Sequence, residues 1–418
     1  MKKIVLALTF MIVSTALFAG GTENKINQSA GYVRFPAKNT ECKKPDAMFY
    51  NPAGTAFLED GLYFEVGNQF LYKEYANEIN GKDYSSDIPT LLYPNFEVVW
   101  KKDKTALFTG MTVFAGGGAL EYEKGNGDTI GAIDTMVGGL VAGGVIPSAA
   151  APLVKNELMG HSLDVSSSVL GLVTGMSHQF WEDRLAVGAA VKILYGKQTR
   201  EITLDNAPNL TAPFLGTEKT LLDSEATGFG VGGILSVHYK PVDTIDLAVT
   251  YHTESIIDYE YTDVSGNSTV CNMMGVVEDS RFDYVIPAYL SFGIGWQATS
   301  QLYLAAGSSI YFNQAAEYDY DNAFEINFAG EYQINDMFAV SLGGFYTSIG
   351  CNSKDGGNSF SAPSLDSFTY CGGVEISAGD FTIDLGGFYV QYFEETWKNA
   401  ELDKDIFEGV IGVTYKMF

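Results

Sequence analysis

From residue 61 to the C-terminus, apolar and polar positions alternate with a period near two, in runs separated by turn residues. The runs lie at about 62–76, 91–101, 105–122, 161–181, 184–204, 225–239, 244–261, 281–297, 301–320, 322–334, 336–350, 366–378, 381–396 and 405–418. In the first, Leu62, Phe64, Val66, Phe70 and Tyr72 share one face, and Glu65, Gln69 and Lys73 share the other. In the fifth, Val187, Ala189, Val191, Ile193 and Tyr195 oppose Gly188, Ala190, Lys192, Gln198 and Arg200. The last run, through Ile406, Glu408 and Val410, does not alternate simply. Short connections at 101–104, 182–183, 240–243, 299–300, 335–336 and 379–380 take turns with longer ones at 76–90, 124–160, 205–224, 262–280, 351–365 and 398–404. A tight turn near Asp321 breaks that rhythm. Tight turns on one rim and long loops on the other predict an all-β fold: a transmembrane antiparallel up-and-down β-barrel of about fourteen strands over residues 61–418, with both termini on the short-turn side. Pro94 and Pro287 remove ladder donors and mark local breaks, either pore-lining irregularities or strand ends.

Two segments precede the barrel. Residues 1–21 pair Lys2 and Lys3 with an apolar run from Ile4 to Phe18 and the small residues Ala19, Gly20 and Gly21, the pattern of a secretory signal peptide. Cys42 is too distant from that cleavage site for a lipid-anchored N-terminus. Residues 22–60 carry Pro36, Pro45 and Pro52 and read as irregular. Within them Asn51-Pro52 is a turn signal, and Ala53-Gly54 permit close backbone approach. The flanks Met48-Phe49-Tyr50 and Phe57-Leu58 are too apolar for a solvated arm. The segment is either a plug held inside the barrel or a surface turn leading into the first strand.

Composition sharpens the class. With 46 Gly, 25 Tyr, 27 Phe and only 18% charged residues, the chain suits an exported β protein with two unlike faces. A net charge of -26 speaks against nucleic acid as a partner, since that binding needs clustered cations. No run has the ~20 uninterrupted apolar residues of a membrane helix; residues 130–154 come nearest but carry Asp134, Pro147 and Pro152. His161, His178, His238 and His252 are scattered and predict no metal site, and no cofactor is implied. Cys271, Cys351 and Cys371 fall in or near predicted loops, where an exported chain could form a bridge; Cys42 stands apart. An enzyme is not predicted. Ser177 and His178 are adjacent on a strand and so face opposite ways, and no Gly-x-Ser-x-Gly elbow supports them. A general diffusion porin or an adhesin barrel is the alternative reading, with a barrel lipid hydrolase behind both.

Several stretches resemble the FadL/TodX-type outer-membrane transporters, the long-chain fatty acid and aromatic hydrocarbon channels. Phe49-Tyr50-Asn51-Pro52-Ala53-Gly54 looks like the family's hatch motif, and Gly31-Tyr32-Val33-Arg34 like the start of the hatch. Phe114-Ala115-Gly116-Gly117-Gly118 falls where the family has a kinked strand. The ending Tyr415-Lys416-Met417-Phe418 resembles the terminal signature of bacterial outer-membrane proteins. The resemblance implies passive uptake of a hydrophobic small molecule through a multi-pass barrel in the bacterial outer membrane. The hatch gates the lumen, and cargo leaves sideways at Gly116, Gly117 and Gly118, where missing side chains let ladder bonds break. It implies a monomer, inserted by the barrel-assembly machinery among outer-membrane lipid and lipopolysaccharide. Leu140, Val141 and Ile146, in the apolar loop 129–154, become first-contact candidates for substrate, or a cap over the mouth. Lys192 and Arg200, on the presumed lumen face of the fifth run, could hold a carboxylate head group or be lumen charges of no special role.

Overall fold

In the computed structural model, residues 29–316, 321–351 and 358–418 are described. The predicted signal peptide lies outside these. Strands β1 (Gly61–Ile79), β2 (Lys82–Ser86), β3 (Thr90–Lys102), β4 (Thr105–Tyr122), β5 (His161–Phe180), β6 (Leu185–Leu204), β7 (Thr220–Val242), β8 (Ile245–His252) and β9 (Ser255–Gly266) make up the first half of the sheet. The second half is β10 (Arg281–Ile286), β11 (Tyr289–Gln297), β12 (Leu302–Tyr311), β13 (Ala323–Gln333), β14 (Phe338–Ser348), β15 (Ser367–Ala378), β16 (Phe381–Tyr392), β17 (Glu395–Trp397) and β18 (Ala400–Met417). All pairings of named strands are antiparallel, and the sheet closes where Leu62 to Ile79 of β1 face Met417 to Ala400 of β18. β8 with β9, and β10 with β11, are each one spanning strand interrupted once, while β2 and β17 are short hairpin arms; fourteen strands therefore span the barrel.

The burial pattern is inverted relative to a soluble protein. Glu65, Gln69 and Lys73 of β1 face inward and are buried, whereas Val66 and Tyr72 face outward at 56% and 53% exposure. On β6, Lys192 is buried while Val191 and Ile193 are exposed. Such an apolar belt is stable only against lipid. Trp100, Phe180, Trp181, Trp296 and Phe381 are exposed at the short-turn ends of their strands, where an aromatic girdle would meet the membrane interface. No helix among the described residues is long and apolar enough to cross a membrane.

Four expectations need correction. The stretch 124–160 is not an irregular loop: it folds into helices Gly127–Ala142 and Ala151–Leu158, the first opened by Asn126, whose side chain caps Asp128 and Thr129. Residues 76–90 and 398–404 are hairpins, turned at Asn80-Gly81 and Lys398-Asn399, all four at positive φ. The run 301–320 ends as a strand at Tyr311 and continues into a 3₁₀ turn at Gln314–Ala316. No disulfide joins the cysteines among the described residues: Cys371 faces inward from β15, Cys271 sits on helix Ser268–Met273, and Cys42 is buried in the N-terminal segment. Pro287 lies at the break between β10 and β11, as its missing N–H demands.

Candidate functional site

Residues 29–58 sit inside the barrel. Helix Ala30–Arg34, helix Ala47–Tyr50 and the 3₁₀ segment Pro52–Phe57 are almost wholly buried. Wall glycines make room for them. A Cβ on Gly188 would lie 2.5 Å from the Ala53 nitrogen, one on Gly293 2.6 Å from Asn39 Cβ, and one on Gly412 2.8 Å from Ala30 Cβ. On Gly343 and Gly386 it would lie 3.0 Å from Pro36 and 3.2 Å from Arg34. Close approach of two backbones is why these inward positions are glycine. Within the segment, a Cβ on Gly54 would meet the Glu41 carbonyl oxygen at 1.9 Å, so only glycine fits after Asn51-Pro52-Ala53.

The hatch motif is bonded to the wall residue by residue. The Ala53 N–H donates to Ser236 Oγ at 2.6 Å, and Thr55 Oγ1 meets Ser177 Oγ at 2.7 Å. Asn51 Nδ2 donates to the Glu41 carbonyl at 3.0 Å and faces His238 Nδ1 at 2.7 Å. Phe49 stacks edge-on against Phe114 with centroids 6.3 Å apart, and Tyr50 stacks on Tyr32 at 5.2 Å. Ser177 faces inward and His178 bonds Thr105, on the other face of β5, so the two form no catalytic pair.

Charge holds the rest of the segment. Arg34, 1% exposed, reaches Asp384 at 2.7 Å, Glu331 at 2.6 Å and Glu375 at 3.0 Å. Burial alone would disfavour its charge, but these carboxylates keep its pKa above the ordinary value. Lys44 shares Asp384 and Glu375, and Lys38 pairs with Glu41 and Asp46. Burial opposes ionisation of Glu41, yet Lys38 prevails and holds its pKa down to about 2.

The wall beside Phe114 is not continuous. β3 pairs with β4 only from Phe96 opposite Met111 down to Lys102 opposite Thr105. Above that, residues 112–122 of β4 pair with β5 alone, and 90–95 of β3 pair with β1 alone. Pro94, which has no N–H to offer, lies on that open edge. The register on β5 also slips, between Val113 and Ala115 and again between Ala115 and Gly118, with Gly116 and Gly118 at φ 85° and 83°. Side chains satisfy the freed carbonyls: Tyr93 OH donates to Gly116 O at 3.0 Å, Thr90 Oγ1 to Gly117 O at 3.0 Å, and Lys73 Nζ also reaches Gly117 O. Unpaired backbone facing hydrocarbon would otherwise cost several kcal/mol per group, on the order of 2–7.

The remaining candidates separate. Val137, Ile146, Val154 and Leu158 are buried in a cluster over the long-loop mouth, with Leu140 and Val141 packed partly buried against it. Lys192 and Arg200 both point inward from β6 but are eight residues apart, about 26 Å along the strand. Lys192 lies 5.8 Å from the Phe114 ring, near the ladder break. Arg200 lines a separate small, partly open cleft with Ser166, Gln198, Ser224 and Tyr261. Sequence reading missed Arg34's ion pairs, Ser236, His238 and Asp246. Their signal was present but diffuse: each wall residue is a polar group at an inward position of an alternating strand.

No protein-family model and no curated protein sequence matches the chain. Solved structures do. A FadL homologue of Pseudomonas aeruginosa is similar at TM-score 0.68 and 16% identity, covering 94% of this chain and 98% of that one. The toluene transporter TbuX of Ralstonia pickettii is similar at TM-score 0.64 and 15% identity, covering 94% and 99%. The toluene transporter TodX of Pseudomonas putida gives 0.64 and 16%, covering 93% and 98%. At such identities the likeness speaks to architecture, and it agrees with the strand count and the occupied lumen: this chain has the FadL-type fold, a fourteen-strand membrane barrel filled at one end by its own N-terminal segment.

Proposed function

We propose that this protein is a bacterial outer-membrane channel for passive uptake of hydrophobic small molecules, fatty acids or hydrocarbons, gated by the N-terminal hatch. The interruption of the β3–β4 ladder above Met111, next to a lumen blocked by the hatch, is the observation that carries the reading. A filled bore offers a greasy molecule no axial aqueous route, whereas a gap in the wall opens onto the bilayer's own hydrocarbon. Cargo first displaces apolar contacts around Leu140, Val141 and Ile146, then enters the lumen and leaves past Gly116, Gly117 and Gly118. Phe49 to Gly54 join the two steps, because Phe49 packs on Phe114 of β4 while Ala53 bonds Ser236 of β7, three strands along the wall. Arg200, beside Tyr261 in its cleft, supplies a cation for a carboxylate head group, and Lys192 a second one near the exit.

Replacing Asn51-Pro52-Ala53 with Gly-Ser-Gly tests this. At equal surface abundance, uptake of a labelled long-chain fatty acid or of toluene falls while the barrel persists. Normal uptake in that variant contradicts the hatch assignment. In a planar bilayer the native protein conducts few ions; steady large conductance would instead favour a diffusion porin.

A further inference from the structure

The hatch meets the wall at one cluster whose side chains are those of a metal site. Cys42 of the hatch, His238 near the end of β7 and Asp246 at the start of β8 bring a thiol, an imidazole and a carboxylate within 4.8 Å of one another. Cys42, His238 and Asp246 are 5%, 0% and 6% exposed. Cys42 Sγ is 3.8 Å and His238 Nε2 2.8 Å from Asp246 Oδ1. A cationic group already sits among them: Lys240 Nζ lies 2.9 Å from Asp246 Oδ1 and 3.6 Å from Cys42 Sγ.

We propose that Cys42, His238 and Asp246 form a binding site for a thiophilic divalent cation of the zinc type, in competition with the Lys240 ammonium. The donor set is one zinc accepts, at bond lengths of about 2.0–2.3 Å. Those bonds place neighbouring ligand atoms roughly 3.3–3.7 Å apart, so His238 Nε2 and Asp246 Oδ1 separate by under an ångström and Cys42, now within 4.8 Å of the imidazole, closes by about an ångström at most. Two ligands are preset by the β7–β8 hairpin, whose short turn places them at the mouth of the barrel. Access runs past Cys42, which lines a partly open cleft, and past the Lys240 side chain, 24% exposed, which leaves Asp246 and the face of the Phe57 ring to admit the cation. Binding releases the Cys42 thiol proton to solvent and leaves a thiolate on the metal.

The imidazole links this site to the hatch motif. Asn51 Nδ2 donates to the Glu41 carbonyl, so it is the amide nitrogen that faces His238 Nδ1, and Nδ1 is an acceptor. His238 then carries its proton on Nε2 and donates to Asp246. A metal on Nε2 moves that proton to Nδ1, where it meets a second donor. Asn51 Oδ1, buried and without a hydrogen-bond partner among the described residues, is the acceptor that would have to turn inward, at the cost of the bond to Glu41. Cation binding therefore strains the Asn51-Pro52-Ala53 turn. The binding itself does not depend on the transport reading.

The test uses full-length protein extracted in detergent, stripped with a chelator and titrated with Co²⁺ alone, then with Zn²⁺ alone. One equivalent of Co²⁺ should give a thiolate-to-metal charge-transfer band that Zn²⁺ abolishes. Cys42→Ser should lose the band and bind at least about tenfold more weakly, a serine in place of Cys271, Cys351 and Cys371 should leave it unchanged, and Lys240→Met should bind at least about tenfold more tightly. Heat-modifiable mobility confirms that each variant keeps its barrel. No band in the native protein, a band that survives Cys42→Ser, or unchanged affinity in Lys240→Met overturns the proposal.

Discussion

At the short-turn end the lumen is filled by the hatch, whose Arg34, Lys38 and Lys44 are held by five carboxylates, three of them on the wall. At the long-loop end the mouth is covered by helices Gly127–Ala142 and Ala151–Leu158, whose aliphatic faces pack over it; the first turn of the former is also tied down by hydrogen bonds from Gly127 N to Asn77 and from residues 359–361 to Asp128. Both ends are closed, but the contacts differ in what can replace them. A buried ion-pair network tolerates no apolar intruder, since separating it leaves uncompensated charge. An apolar cluster can exchange its own contacts for those of a greasy molecule at little net cost. For the proposed function the lesson is directional: a hydrophobic cargo would open the outer end directly, but would move the inner end only by displacing Phe49 and Tyr50, the apolar part of the hatch.

The sharpest way to break this contrast is Arg34→Ala. Lys44 still reaches Asp384 and Glu375, but Glu331 keeps no ion pair among the described residues. We expect hatch docking to weaken by about 3–5 kcal/mol, seen as protease cleavage within residues 30–58 and raised ion conductance, with the barrel intact. Ile133→Ala, in the buried face of the outer helix, should cost about 2 kcal/mol locally and leave the hatch protected. Hydrogen exchange across residues 127–158 reads it. If Ile133→Ala frees the hatch as well, the two ends are not independent.

A smaller effect separates the ends by pH. Glu41's folded pKa lies below its unfolded value, so its contribution is present above about pH 4.3 and fades as pH falls towards 2. Protection of the hatch should therefore hold from pH 8 to 5 and decline only in strong acid. Protection of the outer helices should not follow that curve: their buried carboxyl, Asp128, has its pKa pushed up by burial, the opposite direction from Glu41.

How much of this was legible follows the same division. The period-two runs and the alternation of turn lengths specify the barrel, because a wall one residue thick must show lipid on one side and lumen on the other. Gly116 to Gly118 were readable as a kink, since only glycine carries φ of 85° and 83° there without strain. Asn80-Gly81 is a hairpin signal whose neighbours Glu78, Lys82 and Asp83 are polar and so carry no apolar alternation; that arm stands above the apolar belt. The outer helices were hidden by their glycines, which lower helix propensity but are outweighed by packing on the mouth. The hatch contacts were the least legible. Arg34 meets Asp384 across 350 residues, and no local pattern announces such a pair.

The central claim is that cargo leaves between β3 and β4. Gly117 is the place to test it: unlike Gly116 and Gly118 it has no positive φ, and a Cβ there would meet nothing closer than Tyr75 OH at 3.7 Å. In a background with Cys42, Cys271, Cys351 and Cys371 changed to serine, the thiol introduced by Gly117→Cys is alkylated with a bulky maleimide, and uptake and binding of a labelled substrate are measured before and after. The account predicts that alkylation abolishes uptake and leaves binding in place. Uptake unchanged by alkylation would contradict it.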